Sequence, residues 1–253
     1  MTARTMFDLT GSTALVTGAG RGIGRAIAIG LAAAGASVVL HGRDLCTLDA
    51  AETEVRQAGT GQPVLRWAVD LAHPERIPGA VAHLPAIDIL VNNAGIIRRA
   101  PVAAHTFDAW REVLTVNLDS VFQLSRAVGV GMVERGRGKI ISIASLLSFQ
   151  GGVNVPGYAA SKHAVTGLTR ALANEWSASG VQVNAIAPGY IATDNTRALR
   201  EDPTREAEIR QRIPAERWGR PEDLVGAAVF LASPASDYVC GQVLVVDGGW
   251  MSR

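Results

Sequence analysis

The chain alternates short apolar, β-branched runs with longer segments of helical periodicity, and this alternation restricts its fold more than any other feature. We predict seven strands, at Thr13–Thr17, Ser37–His41, Val64–Val69, Ile87–Val91, Lys139–Ile143, Val181–Ile186 and Val243–Val246. We predict helices near Gly22–Ala34, Leu45–Ala58, Pro74–His83, Thr106–Arg135, Gly157–Ser177 and Pro221–Leu231. Strands that are apolar throughout and separated by helices indicate βαβ units and a parallel sheet covered on both faces.

Seven such strands predict a single-domain α/β protein with a Rossmann-like, doubly wound parallel seven-stranded sheet and helices on both faces. We assign residues 1–253 to this one domain, because neither a Gly/Ser-rich or Pro-rich linker nor an internal repeat divides the chain. The long polar segment at 188–214 leaves the carboxyl edge of the strands, where ligands bind in such sheets. We therefore expect a substrate lid there, with an exposed helical excursion as the alternative.

The composition narrows the classes of function. A formal net charge of +1 argues against binding to nucleic acid or to an anionic membrane as the main role. No apolar run approaches the ~20 residues of a membrane span, and the first nine residues lack the apolar stretch of a signal peptide. Two cysteines and five histidines without ligand-like spacing predict no metal site and suit a reduced cytoplasm.

The basic residues are unevenly divided. Of the 24 lysines and arginines, only Lys139 and Lys162 are lysines. A chain that uses arginine almost everywhere retains lysine where a rigid guanidinium does not fit. Both lysines are therefore candidates for a specific role.

A glycine-rich loop follows the first predicted strand and opens the first predicted helix, in the run Thr17-Gly18-Ala19-Gly20-Arg21-Gly22-Ile23-Gly24. Gly18, Gly22 and Gly24 allow a tight turn and a close approach of the backbone to a pyrophosphate, which then lies against the helix N-terminus near Ile23. We predict a dinucleotide site here, because the strand before and the helix after provide the context that this motif requires.

The end of the second strand selects the cofactor in such folds. A carboxylate there would bind both ribose hydroxyls and repel a 2′-phosphate. This chain has Gly42 at that position, followed by Arg43, which with Arg21 can clamp a 2′-phosphate. We therefore favour NADP(H), with NAD(H) possible. The alternative is a solvated Arg43, partly neutralised by a helix-capping Asp44.

Two further strand ends carry polar groups. Asp70, with Leu71 beside it, follows the third strand and is a candidate for binding the adenine, or else a turn-capping residue. The run Asn92-Asn93-Ala94-Gly95 follows the fourth strand. Its amides can hold the backbone turn, and Asn93, Ala94 and Gly95 are candidates for contact with the cofactor.

Tyr158 and Lys162 are four residues apart in a predicted helix and so share one face. A free tyrosine, with a pKa of about 10, is a poor base near neutral pH, but a nearby cation favours the phenolate. Ser145, after the fifth strand, can bind a substrate oxygen as charge develops on it. Together these groups predict hydride transfer between a nicotinamide and a secondary alcohol.

The ordered set of motifs resembles the short-chain dehydrogenase/reductase family over essentially the whole chain. The set comprises Thr17–Gly24, Asn92–Gly95, Asn117, Ser145, Tyr158/Lys162 and Pro188-Gly189. The resemblance implies a catalytic set of Ser145, Tyr158, Lys162 and Asn117, in which Asn117 helps to hold a proton-relaying water. It also implies nicotinamide contacts from Pro188, Gly189, Ile191 and Thr193, and assembly into a homotetramer.

Several segments resemble the branch of this family that acts on sugar acids such as 2-dehydro-3-deoxy-D-gluconate, 2-deoxy-D-gluconate and gluconate. They are 92–99, 144–152, 172–176, 213–219 and 246–250. A sugar acid carries a carboxylate and several hydroxyls. We therefore expect Arg98 and Arg99 to bind the carboxylate, unless they form a solvated or interface charge pair, and Gln150 and Asn154 to bind hydroxyls.

Two other functions remain open. A 3-oxoacyl-thioester reductase of the fatty-acid type shares every core motif, so it is the second enzyme hypothesis. A non-catalytic nucleotide sensor is the hypothesis from another class. Such proteins usually lose a residue of the catalytic set, whereas this chain retains Ser145, Tyr158 and Lys162.

Overall fold

The seven predicted strands form one parallel sheet in the order β3-β2-β1-β4-β5-β6-β7. The computed structural model describes residues 3–253. The strands are β1 (Thr13–Val16), β2 (Ser37–Gly42), β3 (Val64–Ala68), β4 (Ile89–Asn92), β5 (Gly138–Ile143), β6 (Val181–Pro188) and β7 (Val243–Val246). The chain leaves β1 in one direction for β2 and β3 and in the other for β4, so the strand order reverses beside β1. Ligands bind at the carboxyl edge of such a switch point.

Helices cover both faces of this sheet. They are α1 (Ala3–Met6), α2 (Gly22–Ala33), α3 (Asp49–Ala58), α4 (Ile77–Val81), α5 (Phe107–Leu114), α6 (Ser120–Arg135), α7 (Pro156–Trp176), α8 (Arg197–Glu201), α9 (Pro203–Arg212) and α10 (Val225–Ala232). The predicted α/β class and the doubly wound parallel sheet are confirmed.

Alternate residues of each central strand enter two separate cores, because successive side chains of a strand point to opposite faces. In β1, Ala14 and Val16 pack with Ile27 of α2 and Leu231 of α10. The intervening Leu15 packs in the core on the other face, beneath α4, α6 and α7. All these strand side chains are essentially inaccessible to solvent, so the sheet is a rigid base for the loops at its edge.

The helix predicted over Thr106–Arg135 is interrupted. α5 and α6 are joined by a π-helical turn, Thr115–Asp119, which contains Asn117. An extra residue in a helical turn redirects the side chains around it, and such turns are frequent at functional sites. The helices predicted at residues 45, 74 and 221 begin instead with 3-10 turns, at Cys46–Leu48, Pro74–Arg76 and Pro221–Leu224.

The segment at 188–214 is partly helical. It contains α8 and α9, and Asp202 caps α9 by accepting hydrogen bonds from the backbone N–H groups of Thr204 and Arg205. Ile209 and Ile213 pack with Leu146 and Trp250 in a small separate core. The segment is therefore anchored to the domain by apolar contacts at its carboxyl end.

Among residues 3–253, no helix is both long and apolar enough to cross a membrane. The same residues bring no three His, Cys, Asp or Glu side chains together in a metal-binding group.

Candidate active site

One cavity of about 890 Å³ opens at the carboxyl edge of the sheet. The glycine loop, the ends of β2 to β6 and the segment after β6 contribute its walls. Of the cofactor and catalytic candidates, the following line it: Gly18, Arg21, Gly22, Ile23, Arg43, Asp70, Leu71, Asn93, Ala94, Gly95, Ser145, Tyr158, Lys162, Pro188, Gly189, Ile191 and Thr193. The structure thus brings the predicted dinucleotide site and the predicted catalytic residues into a single cleft.

The glycine loop leaves the N-terminus of α2 open to this cavity. Gly18 and Gly22 have φ values of +64° and +54°, which side chains rarely adopt. Within the described residues, no side chain caps α2 and its first turn has no acidic residue. Free N–H groups at a helix N-terminus attract an anion. This end of the cavity therefore fits the phosphates of a dinucleotide.

Gly24 has a different part in the motif, since it does not line the cavity. A Cβ atom there would collide with the Asn93 amide and the Gly18 carbonyl. The absence of a side chain therefore allows α2 to pack closely on the loop, which is one of the known uses of glycine in this motif.

Asn93 and Thr17 fix the loop to the end of β4. The Asn93 Nδ2 donates to the carbonyl oxygens of Thr17 at 2.8 Å and Gly18 at 3.2 Å. The Thr17 hydroxyl donates to Val91 and accepts from the backbone N–H groups of Asn93 and Ala94. These bonds hold the loop in shape before any ligand arrives.

His41, to which the sequence analysis gave no role, lies beneath the same loop. It is 2% exposed. Its Nδ1 accepts a hydrogen bond from the Gly18 N–H at 3.1 Å, and its Nε2 is 3.0 Å from the Val69 carbonyl oxygen. Burial lowers the pKa of His41 from 6.5 to about 4, so the ring is neutral at physiological pH.

The part of the cavity beside the end of β2 contains a cation that is unpaired within the described part of the chain. Arg43 is exposed beside the cavity, and within residues 3–253 its side chain forms neither an ion pair nor a hydrogen bond. The Asp44 carboxylate instead caps the following 3-10 turn by accepting from the Thr47 N–H at 2.9 Å. A Cβ atom at Gly42 would lie 3.0 to 3.2 Å from Leu48 and Thr47, so the wall leaves little space for an acidic side chain there.

Asp70 lines the cavity at the end of β3, where its Oδ1 also accepts from the Ala72 N–H at 3.0 Å. The carboxylate therefore caps a turn and faces the cleft at the same time, so the two alternatives for this residue are compatible. Leu71 beside it is buried and supplies apolar wall.

The chemical end combines Tyr158, Lys162 and Ser145. Both α7 residues face the cavity, and the Lys162 Nζ lies 5.6 Å from the centre of the Tyr158 ring. The Lys162 Nζ also donates to the Ile143 carbonyl oxygen at 2.6 Å. The Ser145 side chain is hydrogen-bonded to Tyr158. These three side chains converge where the cavity meets the ends of β5 and β6.

The pKa values of this group are set mainly by burial. Burial raises the pKa of Tyr158, while the hydrogen bond from Ser145 and the charge of Arg99 act in the lowering direction. Burial also lowers the pKa of Lys162 to about 8. The net direction for Tyr158 is opposite to the one predicted from the sequence, because desolvation of the phenolate outweighs the favourable charges.

Asn117 lies behind the cavity wall rather than in it. Its Oδ1 accepts from the Ile96 N–H at 2.8 Å, and its Nδ2 donates to the Ile96 carbonyl oxygen at 2.9 Å and to Ser161 Oγ at 3.2 Å. The Ser161 hydroxyl in turn donates to the Tyr158 carbonyl oxygen. In this geometry Asn117 positions Ile96, which lines the cavity, and braces α7.

The two arginines after β4 differ in their contacts. Arg98 lines the cavity but is paired with Glu112 through two hydrogen bonds, at 2.8 and 2.5 Å. Arg99 donates to the carbonyl oxygen of Asn195, a neutral partner, at 3.1 Å. Arg99 is near enough to Tyr158 for its charge to act on the phenol. Its charge is thus the less compensated of the two.

The two hydroxyl-binding candidates lie away from the cavity wall as the described residues form it. The Gln150 amide contacts the sulfur of Met251 at 3.6 Å. Asn154 is exposed and adopts a φ of +63°, and its carbonyl oxygen accepts from the Ala100 N–H. The structure therefore does not bring them together with Ser145 and Tyr158.

The segment after β6 closes one side of the cleft. Asp194 forms ion pairs with Arg21 of the glycine loop at 3.1 Å and with Arg197 at 2.5 Å. A short parallel bridge joins Ile191 to Gly219, so the start of the segment is fixed to the chain that follows its end.

Only one of the two lysines lies in the site. Lys139, at the start of β5, is 8% exposed and pairs with Asp237 at 2.7 Å. It has a structural role at the opposite end of the strand. Of the two lysines that their scarcity singled out, one lines the cavity and the other forms a structural ion pair.

The comparisons with known proteins agree with this geometry. The family model described as enoyl-(acyl carrier protein) reductase matches residues 18–251. The chain belongs to the short-chain dehydrogenase/reductase family. Members of this family need a nicotinamide cofactor, as the open α2 terminus and the long cleft indicate.

Several family members with high sequence identity to this chain are named for reactions of sugar acids. The 2-dehydro-3-deoxy-D-gluconate 5-dehydrogenase of Bacillus subtilis (strain 168) is 54% identical over 98% of this chain and 97% of its own. A proposed NAD(P)-dependent gluconate 5-dehydrogenase from Beutenbergia cavernae, solved with bound NADP, is 55% identical over 98% of this chain and 100% of its own, with a TM-score of 0.94. A gluconate 5-dehydrogenase from Burkholderia cenocepacia, solved with NADP and tartrate, is 43% identical over the whole of both chains, with a TM-score of 0.94.

Proposed function

We propose that this short-chain dehydrogenase/reductase interconverts a secondary alcohol and a ketone of a sugar acid, with NADP(H) as its preferred cofactor. The candidate substrates are 2-dehydro-3-deoxy-D-gluconate, 2-deoxy-D-gluconate and gluconate. The observation that carries the proposal is the convergence of Tyr158, Lys162 and Ser145 at one end of a cleft whose other end is the open N-terminus of α2.

The side chains divide the proton chemistry between them. The glycine loop and the N-terminus of α2 would hold a nicotinamide dinucleotide, which would supply the hydride acceptor for alcohol oxidation and the hydride donor for ketone reduction. Tyr158 takes the hydroxyl proton of the alcohol, or donates a proton to the ketone oxygen in the reverse direction. Ser145 donates a hydrogen bond to the same oxygen and stabilises the charge that develops there.

Lys162 and Asn117 prepare the tyrosine. The Lys162 ammonium lies beside the Tyr158 ring and favours the phenolate that accepts the alcohol proton. The other N–H donors of Lys162 can bind the ribose hydroxyls of the cofactor. Asn117 fixes the Ile96 backbone and braces the turn of α7 that carries Tyr158. Lys162 is thus a catalytic residue and Asn117 a positioning residue.

The preference for NADP(H) is supported by Arg43, an exposed cation that follows Gly42, where an NAD-binding chain would have a carboxylate. It is also supported by relatives solved with NADP. Arg21 contributes less than the sequence suggests, because its guanidinium is already paired with Asp194.

The sugar-acid substrate is supported by the identity of the relatives and by Arg99 near Tyr158. We assign the carboxylate to Arg99 rather than Arg98, whose charge Glu112 already neutralises. Arg99 is not itself among the residues of the cavity wall, but it is hydrogen-bonded to Asn195, which is. The segment at 188–214 is the proposed lid over this substrate, since it carries Asn195 beside Arg99 and is latched to the glycine loop through Asp194.

A reductase of 3-oxoacyl thioesters is the competing function, favoured by the description of the matching family model. Incubation of the protein with NADPH and either 2,5-diketo-3-deoxygluconate, 5-ketogluconate or an acetoacetyl thioester separates the two. We expect turnover of a keto sugar acid. Turnover of the thioester alone would remove the sugar-acid proposal.

We also propose assembly into a homotetramer with two-fold axes. β7 is an edge strand of apolar sequence, and Leu244 on it and Met251 beyond it are substantially exposed. An apolar edge strand invites pairing with another chain. Analytical ultracentrifugation should give a particle of about four times the chain mass, whereas a particle of 26.5 kDa would contradict the proposal.

A further inference from the structure

His41 joins three parts of the nucleotide end of the cleft. Its Nδ1 accepts from the Gly18 N–H at 3.1 Å, and its backbone oxygen accepts from the next N–H of the loop, that of Ala19, at 2.9 Å. On the other side, its Nε2 lies 3.0 Å from the Val69 carbonyl oxygen at the end of β3. One residue therefore binds both the glycine loop and the neighbouring strand.

These contacts define the state of the ring. A donor at Gly18 requires a lone pair on Nδ1, and an acceptor at Val69 requires a proton on Nε2. Only the neutral Nε2–H form meets both conditions. The ring is also packed against Trp67, with 5.2 Å between the ring centres, and it is almost wholly buried.

The contacts also separate the N–H groups of the glycine loop into two sets. Two consecutive N–H groups, of Gly18 and Ala19, are bonded to His41. The N–H groups that follow, at the open end of α2, are left for the ligand. At the other contact, Val69 immediately precedes Asp70 and Leu71, which form the wall of the cavity beside Arg43. His41 thus links the glycine loop to the part of the cavity wall formed by Asp70 and Leu71.

We propose that His41 is a positioning residue for the dinucleotide, holding the glycine loop and the end of β3 in the arrangement that the pyrophosphate and adenosine require. This inference rests on the proposed function. The pyrophosphate and adenosine are common to NADPH and NADH. Loss of His41 should therefore weaken the binding of both cofactors equally, whereas loss of a 2′-phosphate contact should weaken only NADPH.

Two substitutions test the two hydrogen bonds. His41→Phe keeps the ring and its packing on Trp67 but cannot bond to Gly18 or Val69. His41→Gln retains an acceptor and a donor. We expect His41→Phe to weaken NADPH and NADH alike by at least about tenfold, the effect of leaving a buried group unpaired, and to leave kcat at saturating cofactor within about twofold. His41→Gln should recover most of the affinity. The measurement is fluorescence titration of each reduced cofactor.

Val39→Ala is the matched control for a general loss of stability. Val39 lies on the same face of the same strand, is 1% exposed and packs in the core that contains Trp67, but it does not line the cavity. It should lower the melting temperature without changing either dissociation constant. If His41→Phe binds NADPH as the wild type does, the inference is overturned. If the wild type binds neither cofactor, the proposed function fails instead.

A measurement on the unaltered protein provides a check should His41→Phe not fold. Nitrogen-15 NMR of histidine-labelled protein reports the tautomer of each of the five histidines. We expect one ring that remains in the neutral Nε2–H form from pH 5 to 9 and is assigned to His41 by its loss in His41→Gln. If the His41 ring is protonated on Nδ1, it cannot accept the hydrogen bond from the Gly18 N–H, and the inference is refuted.

Discussion

Arg98 and Glu112 form a two-pronged ion pair at the mouth of the cleft, with Nε to Oε2 at 2.8 Å and Nη2 to Oε1 at 2.5 Å. The third nitrogen of the guanidinium, Nη1, is bonded to the Ile97 carbonyl oxygen. Each of the three guanidinium nitrogens of Arg98 thus has one partner within the protein. A substrate carboxylate would have to displace Glu112 to bind Arg98, so the neighbouring Arg99 is the better partner.

Arg99→Ala should therefore raise the KM for the keto sugar acid by about 10- to 100-fold, as expected for a lost charge-assisted hydrogen bond. Arg98→Ala is the matched control and should change the KM by less than about threefold, because Glu112 already engages this guanidinium; losing the exposed ion pair should cost little stability. The measurement is steady-state kinetics at saturating NADPH. Equal effects of the two substitutions would contradict the assignment of the carboxylate to Arg99.

Tyr158→Phe should reduce kcat by at least about a hundredfold, because general acid–base catalysis contributes 10²- to 10⁴-fold. Binding of NADPH should be retained. Tyr238→Phe is a suitable control, since Tyr238 is fully exposed. Full activity in Tyr158→Phe would place the proton transfer on another group.

The two reaction directions should respond oppositely to pH. Burial raises the pKa of Tyr158, so the phenol form that protonates a ketone predominates near neutrality. Alcohol oxidation needs the phenolate, and its kcat/KM should rise as the pH increases from 7 to 10. Ketone reduction should be fastest near neutral pH and decline at alkaline pH. Initial rates in both directions over this range test the prediction; a common acidic optimum would count against it.

Arg43→Ala should weaken NADPH by about tenfold or more and leave NADH nearly unchanged, because only NADPH carries the 2′-phosphate that a guanidinium binds. Arg76→Ala offers a control, since Arg76 is an exposed arginine outside the cavity. The dissociation constants of both cofactors decide the matter. An equal loss for NADPH and NADH would refute the phosphate contact.

The pKa of His41 predicts a stability profile. The unfolded ring binds a proton below pH 6.5, whereas the buried ring resists one until about pH 4. Acid therefore favours the unfolded state, and the free energy of unfolding should fall between pH 6.5 and 4, by about 3 kcal/mol from this group. Urea unfolding of the wild type and of His41→Gln would show the difference. Parallel profiles for the two proteins would rule out this contribution.

The strands could be predicted from the sequence because each is a short run rich in apolar and β-branched residues between turn residues. The break at Asn117 could not, because the apolar spacing of α5 continues into α6 and a π turn leaves no compositional mark. α9 was expected only as the alternative to a lid, because it is mostly polar and Ile209 is its one buried residue. A signal was nevertheless present: Asp202 before Pro203 is a usual start of a helix, with a capping side chain and a proline at the first position.

The candidate site was predictable as far as its motifs are local. The glycine loop and the Tyr158/Lys162 pair each lie within a few residues of one helix, so spacing alone places their side chains. The partner of Arg98 lies 14 residues away on α5, and the partners of His41 are 23 and 28 residues away. Such contacts depend on tertiary packing. The net direction of the Tyr158 pKa depends on burial, which the sequence does not reveal.

The burial of Lys139 and Lys162 has a practical chemical consequence. Across residues 3–253 the protein presents little accessible lysine amine, since both lysine residues are at most 8% exposed. Succinimidyl dyes, glutaraldehyde and amine-coupled supports will therefore find few targets on this surface. Slow acylation that does occur should be sought first at Lys162, the lysine whose pKa is lowered to about 8 and which opens onto the cleft.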